Sequence, residues 1–275
     1  MKLFIDSAKI EEIKEAEKLG VLDGITTNPS LIKKAAVGKG KIDMEKYIIS
    51  IFNAVGKKIP VSLEVVASDF NEMVREGKVL HKKFRKHGNV YVKIPVNPCL
   101  EDKCSTASDG IRAIKLLSSK GIKINCTLIF TPEQALLAAK AGANIVSPFA
   151  GREDDYIREM SRIKFEKEDY YPSRGKKKLG KILSDDGIVS GIDLVAEIKM
   201  IFRKQGIKAE VLAASIRNKR QFREAALAGA DIATVPFSVI KTLLEHNKTS
   251  EGMRKFVKDI VPEYKSMLNK GRKGK

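Results

Sequence analysis

The sequence is poor in the residues on which several kinds of protein chemistry depend. Among its 275 residues there is no tryptophan, and there are only three histidines and three cysteines. The histidines, His81, His87 and His246, stand beside lysines or polar residues, a context typical of solvated positions, so no metal centre is predicted. No apolar run approaches the length of a membrane span. The composition therefore disfavours a histidine-based metalloenzyme and a membrane protein.

The cysteines and the N-terminal residues argue against export. Cys99, Cys104 and Cys126 are odd in number and match no common zinc spacing, which indicates free thiols in a reducing compartment. The short apolar run at the N-terminus is followed at once by Asp6, whereas a secretory signal needs a longer apolar stretch and a small-residue cleavage site. We therefore expect a cytoplasmic location.

Positive charge is what the sequence has in excess. The formal net charge is +18 at pH 7, while 43% of the residues are hydrophobic, as in an ordinary globular protein. Such a charge suits a nucleic-acid partner, a phosphorylated substrate or a need for solubility. Charge alone does not choose among these three.

Short runs rich in valine and isoleucine alternate with segments of helical periodicity along the chain. This alternation is typical of repeated βα units around a parallel sheet. Eight strands are predicted: Lys2 to Asp6, Gly24 to Thr27, Val61 to Val65, Val90 to Ile94, Lys123 to Thr127, Asn144 to Ser147, Glu210 to Ala213 and Ile232 to Val235.

Glycines mark the places where the covering helices should end. Gly121, Gly142, Gly206 and Gly229 each precede a predicted strand, and glycine accepts the left-handed turn that closes a helix. Eight such units fit a (β/α)8 TIM barrel, and a doubly wound open sheet is the alternative. No glycine-rich dinucleotide fingerprint follows a strand, which favours the barrel.

Two segments lie outside the minimal barrel, although we expect one domain over residues 1–275. A charged segment at about 153–187, with a basic run from Arg174 to Lys178, is predicted to be an insertion after the sixth strand. At about 250–275 we expect one extra helix, with Met253, Phe256 and Tyr264 on an apolar face, followed by a basic tail. We interpret the insertion as either a basic lid over the catalytic face or a disordered loop.

Reactive groups of a barrel gather at the C-terminal ends of its strands, so Lys93 is the first candidate. An ammonium within the apolar run from Val90 to Val96 is costly unless it is paired or deprotonated, and an unprotonated amine attacks carbonyl groups. Strand alternation places Tyr91 and Lys93 on one face, and in a barrel one face is interior. The alternative is a lysine that faces solvent.

Carboxylates and amides end the neighbouring strands. Asp6 and Glu64 could move protons beside an imine lysine, although Asp6 could also cap a helix. Asn125 and Thr127 point to the same face, where they could hold a water molecule against Glu64 or bond to each other.

Candidate phosphate-binding groups follow the later strands. Ser215 and Arg217 come directly after the seventh strand and open a helix, which is the usual barrel position for gripping a phosphate. Arg152, after the sixth strand, could supply a second positive charge or could be a solvated loop residue.

Taken together, seven segments resemble the transaldolase family in its short-chain form, which is shared with the fructose-6-phosphate aldolases. They occur in the family's order and cover nearly the whole chain apart from the insertion and the tail. The segments are Phe4 to Ala8, Thr26 to Leu31, Val61 to Val65, Val92 to Pro95, Ile124 to Phe130, Val146 to Arg152 and Ala213 to Arg217.

The resemblance implies an enzyme without a cofactor that transfers a dihydroxyacetone unit between sugar phosphates through an imine on Lys93. Asp6 would act on the sugar hydroxyl, and Glu64 with Thr127 would position a catalytic water molecule. The remaining substrate contacts implied are Thr27, Asn28 and Asn125 for the three-carbon unit, Ser147 and Phe149 beside it, and Arg152, Ser215 and Arg217 for the phosphate.

Glu64 bears on the choice between two activities. Aldolase members of the group resemble this pattern with a neutral amide where transaldolases have a carboxylate, so Glu64 favours transfer over aldol cleavage of fructose 6-phosphate. Short-chain members commonly form pentamers or decamers, and the C-terminal segment could clasp a neighbouring subunit. A third interpretation, a basic nucleic-acid-binding protein on a barrel scaffold, uses none of the strand-end residues.

Overall fold

A closed barrel of eight parallel strands forms the centre of the protein. The computed structural model describes residues 1–37, 42–101 and 104–269. Neighbouring strands pair in chain order, and the first strand closes the barrel on the last through pairs such as Lys2 with Ile232. The barrel strands are β1 (Lys2–Asp6), β2 (Gly24–Thr26), β3 (Pro60–Glu64), β4 (Asn89–Pro95), β5 (Ile124–Ile129), β6 (Ile145–Pro148), β9 (Glu210–Ala213) and β10 (Ile232–Val235).

This closure confirms the predicted (β/α)8 barrel and excludes the doubly wound open sheet. All eight predicted strands are present, and their ends differ from the predicted ends by at most two residues. The helices of the barrel unit are α1 (Ile10–Lys18), α2 (Pro29–Ala36), α3 (Met44–Val55), α4 (Phe70–Phe84), α5 (Asp109–Ser119), α6 (Pro132–Ala141), α7 (Ala150–Met160), α8 (Gly191–Lys204), α9 (Lys219–Leu227) and α10 (Phe237–Leu243).

The glycines predicted to close helices adopt the left-handed conformation. Gly121, Gly142, Gly206 and Gly229 have φ between 65° and 108°, and Gly142 caps the C-terminus of α6. An L-residue with a side chain is strained at such angles, whereas glycine is not. These corners turn each helix back into the next strand, as expected from the sequence.

The barrel interior is apolar at one end and polar at the other. Phe4, Ile145, Leu212 and Ile232 form a buried cluster near the N-terminal ends of the strands, and Tyr91 packs against it. Alternate residues of a strand share a face, and two residues further along β1, β4, β6 and β10 the side chains are polar, whereas Ala214 after β9 is apolar. The apolar layer thus forms a floor beneath the polar groups at the C-terminal ends.

The segment after β6, predicted as an insertion, contains regular secondary structure. It begins as α7, passes through an irregular stretch and forms the short antiparallel hairpin of β7 (Lys177–Lys178) and β8 (Lys181–Ile182). Although the segment is highly charged, Glu153, Asp154 and Arg158 are buried, as is the ring of Tyr171. Arg158 lies over the rings of Phe165 and Tyr171, at 4.8 and 5.0 Å from their centroids.

Cys99 and Cys104 form a disulfide in the loop between β4 and α5, with their α-carbons 6.1 Å apart. The expectation of three free thiols was therefore wrong for this pair, whose α-carbons lie within the range that a disulfide spans. Cys126 remains a free and fully buried thiol in β5.

The chain divides into a barrel unit, Met1–Ile240, and a second unit, Lys241–Lys275. After the end of α10, which reaches Leu243, the described part of the second unit has two helices, α11 (Asn247–Asp259) and α12 (Pro262–Asn269), where the sequence suggested one. The helix breaks there because Pro262 has no backbone N–H and disfavours helical geometry in the residue before it. Phe256, Val257 and Tyr264 are exposed. The basic tail predicted from Lys270 lies outside the described residues.

In the parts of the chain that are described, none of the helices combines the length and the apolar character that crossing a membrane requires.

Candidate active site

Strand register brings three of the predicted residues into one row. Glu64 in β3 pairs with Lys93 in β4, and Lys93 pairs with Asn125 in β5. Residues that pair across parallel strands point to the same side of a sheet, so the three side chains share the barrel interior. The carboxylate, the amine and the amide therefore meet because of register, although the chain separates them by about thirty residues each.

Lys93 is buried, with only 4% of its surface exposed. Its Nζ lies 2.9 Å from Glu64 Oε2 and donates a hydrogen bond of 3.0 Å to the backbone carbonyl of Thr27. The alternative of a solvent-facing lysine is thereby excluded. A charged amine removed from water is tolerable only with partners of this kind, and it sits where a carbonyl compound could reach it.

Asp6 stands at the end of β1 and belongs to a chain of hydroxyl groups. Thr26 Oγ1 donates a hydrogen bond of 2.7 Å to Asp6 Oδ1, and it lies 2.6 Å from Thr234 Oγ1. Burial raises the pKa of the Asp6 carboxyl, against the opposing effects of Lys93 and of the Thr26 hydroxyl. A carboxyl whose pKa is raised is a stronger base than an ordinary carboxylate.

Asn125 and Thr127 are both fully buried but do not bond to each other. Asn125 donates 3.3 Å to Ser62 Oγ and accepts 2.6 Å from Ser147 Oγ. Thr127 Oγ1 has no hydrogen-bond partner within the described residues. The next residue, Leu128, has φ of 58° and marks an irregularity in β5.

Thr27 and Asn28 use part of their side chains structurally. The Thr27 hydroxyl donates 2.8 Å to the carbonyl of Ser62. Asn28 caps α2, because its Oδ1 accepts 3.0 Å from the N–H of Leu31. The cap uses the amide oxygen of Asn28 and leaves the amide nitrogen to other partners.

The loop after β9 approaches the N-terminus of α7 closely. A β-carbon on Gly151 would lie 2.1 Å from the carbonyl oxygen of Ser215, so only glycine fits there. The same point lies 3.1 Å from Ser215 Oγ and 3.0 Å from Arg217 Nε. Ser215 has φ of 61°, which is unusual for a residue with a side chain and often marks a functional site.

Two arginines at this end of the barrel differ in their partners. Arg217 forms a two-point ion pair with Asp155 in α7, with Nη1 2.6 Å from Oδ1 and Nη2 against Oδ2. Its Nε is buried and unpartnered in the described structure. Arg152 lies in the first turn of α7, not in a loop, with its guanidinium 5.0 Å from the centre of the Phe149 ring.

A cavity of about 170 Å³ opens above Lys93. Eight of the predicted site residues line it: Asp6, Asn28, Lys93, Ser147, Phe149, Arg152, Ser215 and Arg217. Four others, Thr27, Glu64, Asn125 and Thr127, are not part of its lining. The sequence did not single out Ser30, Leu31, Lys34, Lys167, Leu212, Ala214 or Thr234, which also face it.

Some of these could have been found from the sequence. Lys34 lies one helical turn after Ser30, behind the cap at Asn28. Thr234 lies two residues after the buried Ile232 and so points to the same side of β10. No feature of the sequence indicated that Lys167 would face the cavity. Within the described ranges, no group of three or more histidine, cysteine, aspartate or glutamate side chains could hold a metal ion.

Comparison with known proteins finds relatives that match nearly the whole chain. The profile of the transaldolase/fructose-6-phosphate aldolase family matches residues 3–271. The chain is similar to a probable transaldolase of Geotalea daltonii, with 42% identity over 94% of the chain and 97% of that relative. A probable transaldolase of Clostridium perfringens is 40% identical over 98% of the chain and all of the relative. Another, of Prosthecochloris aestuarii, is 42% identical over 97% of the chain and its own full length.

Proposed function

Because the chain belongs to the transaldolase/fructose-6-phosphate aldolase family, we propose that it is a transaldolase of the pentose phosphate pathway. It takes a dihydroxyacetone unit from a ketose phosphate, sedoheptulose 7-phosphate or fructose 6-phosphate, and passes it to an aldose phosphate. The carrier is an imine on Lys93. One observation supports this most strongly: a buried amine lies at the base of a cavity, in contact with a carboxylate.

The covalent cycle follows from the groups around Lys93. Its unprotonated amine adds to the C2 carbonyl of the ketose, and loss of water gives the imine. Glu64, 2.9 Å from Nζ, is placed to take the proton that the ammonium must lose. The imine then acts as an electron sink for the neighbouring carbon–carbon bond, which is the reason for covalent catalysis here.

Asp6 performs the bond cleavage in this proposal. It removes the proton from the C4 hydroxyl, the bond between C3 and C4 breaks, and the aldose phosphate leaves. The raised pKa of Asp6 allows the same carboxyl to return a proton when the acceptor aldehyde is attacked. The lysine-bound enamine thus holds the three-carbon unit until the acceptor arrives.

The amides and the unpartnered hydroxyl orient the bound unit. Asn28 donates from its amide nitrogen to the hydroxyls of the three-carbon unit, and Asn125 acts through the Ser147 hydroxyl that faces the cavity. Thr127 lies two residues beyond Asn125 on β5, beside Pro95 in register. With Glu64, Thr127 positions the water molecule that the imine releases and takes up again.

The phosphate lies at the far end of the cavity. Ser215 Oγ, Arg217 Nε and the N-terminus of α7 converge around Gly151, and Arg152 extends from the next position of that helix. A helix N-terminus with nearby guanidinium groups favours a phosphate dianion.

Borohydride reduction in the presence of fructose 6-phosphate, followed by peptide mass mapping, tests the mechanism. We expect one adduct, on the peptide that contains Lys93, and no adduct with sorbitol 6-phosphate, which lacks a carbonyl. A Lys93→Met variant should form none. An adduct elsewhere, or none in the unaltered protein, would overturn the proposal.

Fructose-6-phosphate aldolase is the second candidate, because the family includes both activities. Glu64 favours the transferase, since the resemblance associates a carboxylate there with transfer. An assay with and without erythrose 4-phosphate separates the two. Consumption of fructose 6-phosphate should depend on the acceptor, and equal consumption without it would establish the aldolase.

We also propose that the protein is a homo-oligomer, a pentamer or a decamer. The second unit supports this, because Phe256, Val257 and Tyr264 leave an apolar helix surface exposed. Light scattering on the full chain tests it, and a monomeric mass would contradict it. The cytoplasmic location stays a prediction. The argument from three free thiols no longer supports it, because Cys99 and Cys104 form a disulfide.

A further inference from the structure

Arg217 contributes less positive charge to the cavity than the sequence suggests. Its guanidinium makes a two-point ion pair with Asp155 and donates a further bond of 2.9 Å to the carbonyl of Lys167. A guanidinium paired in this way is close to neutral as a unit. A phosphate carrying nearly two negative charges at neutral pH therefore needs other cations.

Besides Lys93, which pairs with Glu64, three other cations line the cavity: Lys34 from α2, Arg152 from α7, and Lys167 from the segment after α7. In the described parts of the chain, none of them has a carboxylate within ion-pair distance. The guanidinium of Arg152 lies over the face of the Phe149 ring. The lysines thus present uncompensated positive charge to whatever enters.

The segment that carries Lys167 is anchored at Lys167 itself and directly after it. Arg158 donates 2.8 Å to the carbonyl of Asp169, and the Tyr170 hydroxyl donates 2.5 Å to Glu224 in α9. The guanidinium of Arg220 lies 3.7 Å from the centre of the Tyr170 ring. The backbone of Lys167 is itself held by Arg217. We interpret the segment as a wall of the cavity held by these contacts, whereas the sequence suggested a basic lid or a disordered loop.

We propose that Lys34 and Lys167 determine the specificity for phosphorylated substrates by binding the phosphate together with Arg152. In this arrangement the pair of Arg217 and Asp155 positions the wall and offers the Nε of Arg217 as a donor. The inference rests on the proposed function for the identity of the substrate. The existence of an anion site does not depend on the proposed function.

Two pairs of matched substitutions test the role of the lysines. Lys34→Met is compared with Lys33→Met, its exposed neighbour in α2, and Lys167→Met with Lys164→Met, an exposed lysine of the same segment. Neither control residue lines the cavity. Deletion of residues 156–186 is unsuitable, because it would remove the buried Arg158 and Tyr171.

For fructose 6-phosphate with an aldose phosphate acceptor, we expect Lys34→Met and Lys167→Met each to raise KM about tenfold, the value of one charge-assisted contact. The kcat/KM for unphosphorylated fructose should stay unchanged, and both controls should behave as the unaltered protein. An equal rise in KM in a variant and its matched control would overturn the assignment, as would an equal loss with fructose.

A second measurement separates this inference from the proposed function. Inorganic phosphate should raise the melting temperature of the unaltered protein and of both controls, but less in Lys34→Met and Lys167→Met. This test needs no imine chemistry. Failure to trap an adduct on Lys93 would defeat the proposed function alone, whereas equal stabilisation by phosphate in all five proteins would defeat the role of Lys34 and Lys167 alone.

Discussion

Glu153 should make the protein less stable as pH rises. The side chain is fully buried in α7, and neither carboxylate oxygen has a hydrogen-bond partner in the described structure. Burial, with the nearby Asp185 and Asp154 adding repulsion, raises the pKa of the Glu153 carboxyl to about 7. The carboxyl is therefore neutral in the folded protein over a range of pH in which it is charged in the unfolded chain.

The sign and size of the effect follow from the two pKa values. Below the pKa of Glu153 in the unfolded chain, about 4.5, the folded and unfolded states both hold the proton. The titration of Glu153 then does not lower the free energy of unfolding. As pH rises toward 7, the unfolded chain ionises first, and stability falls by up to about 3 kcal/mol before it levels off. Glu153→Gln removes this dependence, because an amide does not titrate.

Urea unfolding of the unaltered protein and of Glu153→Gln at pH 5 and pH 8 measures the difference. We expect the variant to gain about 2 kcal/mol in free energy of unfolding at pH 8 relative to its gain at pH 5. Glu159→Gln, at an exposed position of the same helix, is the control and should show no such change. A gain from Glu153→Gln that is equal at both pH values would refute the reasoning.

Two further predictions concern the site. Asp6→Asn should lower kcat by about 10²- to 10⁴-fold, because it removes the group that accepts the C4 hydroxyl proton. Borohydride should still trap the first imine on Lys93 in this variant. Loss of both trapping and turnover would contradict this. Gly151→Ala should weaken phosphate binding and lower the melting temperature, since its β-carbon would lie 2.1 Å from the Ser215 carbonyl oxygen. The control Gly252→Ala, whose β-carbon meets no atom within 4 Å, should do neither. Equal melting temperatures of the two variants would count against the close approach.

Much of the barrel could be predicted because its signals are local. Apolar runs of period two and the glycines that end helices fix each βα unit without reference to the rest of the chain. The same alternation placed Lys93 in the interior with Tyr91 beneath it. Its neighbours Glu64 and Asn125 followed once the strands were taken in order, since parallel pairing carries each strand end to the same rim.

What could not be predicted depends on contacts between distant segments. The partner of Arg217 is Asp155, which belongs to a run of charged residues that reads like a solvated surface. Lys167 faces the cavity only because Arg217 and Arg158 hold the backbone around it. The disulfide between Cys99 and Cys104 likewise depends on how the loop after β4 turns, which the spacing of the cysteines does not reveal.

The row of Glu64, Lys93 and Asn125 has a consequence for engineering this scaffold. Because side chains alternate along a strand, one residue inserted between Asn89 and Lys93 would turn the amine outward among the helices, and a second would return it. The tolerance of β4 to insertions should therefore alternate between odd and even lengths. Transplanting the chemistry to another barrel requires copying the offset between strands, and not only the three residues.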